Sequence, residues 1–137
     1  MSVNYGKPTD AIGKKLRKDL EAEFNNVYMS SEYKEKGNES IRIDVLSSSL
    51  NEQISAIMEI RDYAYEITIY NHNTSDDHDL HLNNRIDRAV YLLMSNRTKS
   101  DVFVDLVVDD VNYKLDLGDD DIIAGSIGLT ITKENIF

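Results

Sequence analysis

The chain has 137 residues, 41% of them hydrophobic and 29% charged, with no cysteine and a formal net charge of −10. That length and balance suit a single globular domain with a continuous core. The missing cysteines exclude disulfides, thiolate metal centres and cysteine nucleophiles, and the acidity argues against gripping DNA, where Lys and Arg must neutralise phosphate. The apolar runs fall far short of the roughly 18 residues that suggest a membrane span. The opening "MSVNYGKPTD" has no apolar signal core, so a cytoplasmic setting is expected.

The acidity is uneven. Residues 1–36 carry seven basic side chains against six acidic ones, whereas residues 101–121 carry eight aspartates against Lys114 alone. Such a bias makes a negative patch that repels nucleic acid or attracts a basic partner.

In chain order, the first element is a helix. Thr9 can cap it, Pro8 precedes that cap harmlessly, and Ile12, Leu16, Leu20 and Phe24 recur at four-residue spacing on one face. The basic run Lys14–Lys18 is interleaved with Asp19, Glu21 and Glu23 and reads as a solvated face rather than an anion site. Residues 27–46 read as a β-hairpin: Ile41, Ile43 and Val45 alternate with Arg42 and Asp44, and Gly37-Asn38 can make the turn. Residues 47–60 are open to two readings, a short helix or an ordered loop. Ser49 and Glu52 have capping-box spacing, and Leu50, Ile54, Ile57 and Met58 can form one apolar stripe.

"RDYAYEITIYN" is the clearest strand, with Tyr63, Tyr65, Ile67 and Ile69 on one face; the tyrosines read as core or sheet surface rather than a ligand platform. A second helix covers residues 80–95, with Leu82, Ile86, Ala89, Val90 and Leu93 on its apolar stripe. The remainder is β: "VFVDLVV" and "VNYKLDL", with Asp109-Asp110 as a turn or bulge, then "IIAGSIGLTIT", where Gly125 and Gly128 suggest a bent or closely packed strand. The expected fold is a single α+β domain of order α-β-β-β-α-β-β, two helices on a mainly antiparallel sheet. Residues 1–7 and 134–137 are expected to be flexible or interface arms.

Two clusters invite a metal reading. "NHNTSDDHDLH" holds His72, His78 and His81 with Asp76, Asp77 and Asp79, and His78-x-x-His81 has helical spacing. The pattern is not HExxH, and its Asn, Thr, Ser and Asp suit a loop and helix N-cap. It reads as a connection, with the histidines unexplained. "DLGDDD", Asp116–Asp121, lacks the alternating ligands of a calcium loop and reads as a hairpin turn. With no nucleophile elbow and no phosphate loop, no enzyme activity, cofactor or metal is expected.

Taken together, "AIGKKLRKDL", "IRIDVLSSSLNEQ", "IRDYAYEITIY", "LNNRIDRAVYLL" and "VNYKLDLGDDDIIAGSIGLTIT" resemble the tail-terminator (tail-completion) proteins of tailed bacteriophages over residues 8–133. The resemblance implies a structural virion protein, assembled in the host cytoplasm as a homo-oligomeric, typically hexameric, ring. Such a ring caps the tail tube, joins it to the neck and head connector, and lets DNA pass without specific binding. No catalytic residue is implied. Leu50, Ile54, Ile57, Met58 and Phe137 are the candidate contacts of such a ring. Asp109, Asp110, Asp116, Asp119, Asp120 and Asp121 are candidates for a negative lumen. Two other classes fit the same residues: another head-tail connector or head-completion protein, and a small acidic inhibitor or immunity-type module.

Overall fold

The elements run α1 (Gly6–Leu20), β1 (Val27–Met29), β2 (Glu39–Gln53), β3 (Met58–His72), α2 (His78–Ser95), β4 (Asp105–Asn112) and β5 (Ile122–Ile136). The structure, a computed structural model, describes residues 6–30, 39–72, 78–97, 102–115, 117 and 122–137. The strands form one sheet in the order β1-β2-β3-β5-β4, and both helices pack on it, as the sequence predicts.

Ile12, Leu16 and Leu20 bury one face of α1, while Lys14–Asp10, Lys15–Asp19 and Arg17–Glu21 pair along it at i,i+4. Lys14 and Lys18 are solvated while Lys15 is largely covered, and the run pairs within its own helix rather than forming an anion patch. The helix begins at Gly6, ahead of the expected cap: Thr9 lies inside the first turn and its hydroxyl donates to the Gly6 carbonyl at 3.0 Å. Pro8 is accommodated in that turn because the first N–H groups of a helix have no intrahelical acceptor. The helix ends at Leu20, and Phe24, though beyond it, is buried in the same core.

The expected hairpin over residues 27–46 is not formed. β1 runs parallel to β2, with Val27 opposite Ile41 and Met29 opposite Ile43. Alternation defines a strand and its buried face but carries no information on the direction of its neighbour. The Gly37-Asn38 turn lies outside the described residues. Residues 47–53 are neither helix nor loop, for β2 continues to Gln53. The chain then turns back, with the Ile54 and Ser55 N–H groups both donating to the Met58 carbonyl at 3.0 Å. Asp109 is the bulge rather than a turn: "VFVDLVV" and the start of "VNYKLDL" make one strand, β4, which with β5 gives the two strands expected after α2.

Odd-numbered residues of β3 and β5 face the helices: Tyr63, Tyr65, Ile67 and Ile69 with Ile127, Leu129 and Ile131. The tyrosines are core residues. The Tyr65 hydroxyl donates to the Thr9 carbonyl at 2.7 Å, and burial raises its pKa well above the ordinary phenol range. α2 buries Leu82, Ile86, Ala89 and Leu93 in the core it shares with α1 and the sheet, with Val90 half-buried beside them: the expected stripe. Its polar side is clamped. Arg85 reaches the Glu39 carboxylate through two nitrogens (3.0 and 3.1 Å) and stacks 4.2 Å from the Phe24 ring centroid. Arg88 donates to Glu23 (2.7 and 2.6 Å), and this bond holds the Glu23 carboxyl below its usual pKa.

Candidate functional site

Among the described residues the other face of the sheet carries no helix. The strand register assigns its side chains in rungs. Asp44, Glu66, Gly128 and Asp110 lie level across four strands; Ser47, Ala64, Thr130 and Val107 form the next rung, and Ser49, Asp62, Thr132 and Asp105 the one after. The even-numbered β3 and β5 residues are on this side because the odd-numbered ones fill the core.

The result is an acidic surface. Asp44 and Glu66 are directly opposed, an arrangement that costs energy unless screened or compensated. Arg42 compensates in part, donating to Asp44 at 2.8 Å, and it is the cation that the register assigns to this face among the described residues. Asp109, the bulged residue of β4, accepts from the Thr130 hydroxyl at 2.5 Å. Asp110 leans over Gly128, where any β-carbon would collide with its carboxylate. Asp62 accepts from Thr132 (2.8 Å) and Asn51 (3.1 Å). Toward the opposite end Ser40, Thr68 and Ala124 are buried, and the Arg42 guanidinium lies 5.9 Å from the Tyr70 ring centroid.

Of the candidate lumen residues, Asp109 and Asp110 are thus side by side on this face, while Asp116, Asp119, Asp120 and Asp121 lie outside the described residues. Asp44, Asp62, Glu66 and Asp105 join them. Alternation alone could have flagged the first three as opposite to the apolar positions; only the register shows that they converge with β4.

The candidate contact residues are gathered at one end of the sheet. There β2, β3 and the end of β5 run on together as a three-stranded tongue, past the level of Asp105 where β4 starts. Leu50 (51% exposed), Ile54 (47%) and Ile57 (46%) stand in solvent; Met58 and Phe137 are half-buried. Residues 134–136 are strand here, and the Phe137 N–H donates to the Ile57 carbonyl at 2.7 Å, so this end of the chain closes the tongue. Leu46 and Ile136, not singled out from sequence, are more exposed still, at 60% and 65%.

Near its far end, one pair short of Met58–Ile136, the tongue carries a polar knot that reaches back to Tyr63. The buried Glu59 carboxylate accepts from Arg61 (2.9 and 3.3 Å), and the buried Asn135 amide donates to the Tyr63 hydroxyl at 2.7 Å. Beside it opens a cleft of about 490 Å³ between the start of α1 (Lys7, Pro8, Ala11) and residues 133–137. Among the described residues its side chains form no nucleophile–base pair of the kind covalent catalysis uses.

His72 ends β3, residues 73–77 lie outside the described residues, and His81 is on the exposed side of α2. Of Asp76, Asp77 and Asp79, expected at the start of the helix, the first two therefore fall outside them too, and Asp79 is the second residue of α2. Among the described residues no three His, Asp or Glu side chains come together in a metal-binding geometry, and no helix is long and apolar enough to cross a membrane. The sequence matches no protein-family model and none of the curated proteins.

Proposed function

We propose that this chain is a ring-forming structural protein that lines a passage for nucleic acid, in the manner of a tail terminator or neck protein of a tailed phage. The observation that carries the reading is the acidic sheet face, with both helices on the opposite side. A wall beside which DNA slides must be wettable and must not hold phosphate, and a carboxylate-rich sheet meets both demands. The tongue supports the same reading, because exposed aliphatic side chains concentrated at one end of a sheet suit an axial partner such as a tube or connector. The segments "IRDYAYEITIY" and "LNNRIDRAVYLL", on which the resemblance to tail terminators rests, form β3 and α2, which hold this face and its helical backing together.

A second reading uses the same face: an acidic binding module that meets a basic protein surface. Oligomeric state separates the two. Negative-stain microscopy and light scattering of the purified protein are expected to give annular particles. Monomers alone up to high concentration would overturn the ring and favour the module.

A further inference from the structure

Among the described residues β2 has an open edge. β1 covers it only as far as Ile43, opposite Met29, and beyond that point Val45–Gln53 are all exposed. No Lys, Arg or Pro guards this stretch, and Val45, Leu46 and Leu50 project from it in solvent. The opposite margin of the sheet, the outer edge of β4, has no strand partner either among the described residues.

These two edges match. Through the register, Asp44 is level with Asp110, Ser47 with Val107, and Ser49 with Asp105. The spans Asp44–Ser49 and Asp105–Asp110 contain the same number of residues, and each includes one bulged residue, Leu46 in the first and Asp109 in the second. The successive antiparallel pairings β2·β3, β3·β5 and β5·β4 leave β2 and β4 antiparallel to each other. A rotation about an axis along the strands preserves that sense. It therefore brings β4 of one copy beside β2 of the next as an antiparallel pair, with no shift along the axis. A heterologous contact made by rotation without translation closes a ring, whereas one with translation makes a filament.

We infer that copies of this chain join by sheet continuation, the outer edge of β2 over Asp44–Ser49 pairing with the outer edge of β4 over Asp105–Asp110 of the neighbour. This deepens the ring reading and rests on it. The occupant is a second copy rather than a foreign strand because the chain supplies both halves of the joint at the same height and in the favoured sense. The acidic faces then lie on one continuous surface. The tongue, which extends beyond the level of Asp105, is left clear of the joint and projects from the rim.

The absence of native cysteine makes the test direct. Ser47→Cys and Val107→Cys are both surface changes, and the joint sets them opposite each other across copies, within the Cα separation that a disulfide spans. Under mild oxidation, a mixture of the two single variants is expected to form covalent dimers while neither forms them alone. The double variant is expected to give a ladder of multimers. A second pair, Ser49→Cys with Asp105→Cys, repeats the test two residues along. Dimers of Ser47→Cys alone would overturn the joint in favour of a two-fold β2–β2 contact. No cross-link from either mixed pair, with wild-type rings still visible by microscopy, would overturn the joint and leave the ring standing. Wild-type monomers at every concentration would remove both.

Discussion

Gly125 and Gly128 lie three positions apart on β5, on opposite faces of the sheet, and an added methyl meets different neighbours at each. At Gly125 it would strike the Ile86 side chain of α2 and come within 2.7 Å of the Asn112 carbonyl, a backbone atom that cannot turn aside. At Gly128 it would meet the carboxylate of Asp110, the free end of an exposed side chain. Gly125→Ala is therefore expected to cost about 1–3 kcal/mol, as overpacking does. Gly128→Ala should stay within about 0.5 kcal/mol of wild type, as surface changes do. Thermal unfolding followed by circular dichroism reads the difference, at roughly 4 °C per kcal/mol for a chain of this length. Sequence marks both glycines as points of close approach. Which neighbour is rigid and which can move depends on α2 and β4, elements far from β5 in the chain.

At the scale of elements, the helix and strand patterns give most of the molecule, because one buried face per element leaves a clear period in the residues. The stripe of α2 and the tyrosine face of β3 are examples. The pattern fails where an element is not half-buried. Residues 47–57 are exposed on both sides, so their apolar residues carry no period-two signal and resemble a helical stripe instead. Partner direction is equally silent, which is why β1 is parallel where a hairpin is expected. The same contrast between buried and unsupported elements gives a stability prediction. Arg85→Ala removes two charge-assisted bonds and a ring contact that tie α2 to the start of β2, and should lower stability by about 1.5–3 kcal/mol. Ile54→Asp, at the tip of the tongue, should leave it within about 0.5 kcal/mol. Urea titrations of the two variants check this: the midpoint should fall for the first and hold for the second, with the slope unchanged in both.

The whole molecule adds what no single element shows, the convergence of carboxylates from β2, β3 and β4 on one surface. The uneven charge of the sequence announces an acidic region in residues 101–121. It does not announce that Asp44 and Glu66 stand on the same rung as Asp110, since that depends on pairings between residues far apart in sequence. In the proposed ring these surfaces face one another, and the joint sets Asp44 of one copy near Asp110 of the next. Their repulsion reaches about 10 Å at 0.1 M salt and only about 3 Å at 1 M. Assembly measured by sedimentation should therefore strengthen as salt rises. Association that instead weakens with salt would point to the acidic face meeting a basic partner surface.

The three bulges have a mechanical meaning as well. Every extra residue, Leu46 and Asn51 on β2 and Asp109 on β4, lies on one of the two strands that bear the matched edges, while β3 and β5 pair from Met58–Ile136 to His72–Ile122 without interruption. A bulge bends its strand and steepens the local twist. The irregularities are thus confined to the margins of the sheet, where the bevel of a cask's stave is cut. How many staves close a cask is set by the angle of the bevel and not by the strength of the glue. In the proposed ring, removing Leu46 would then change the number of subunits before it changed their affinity for one another.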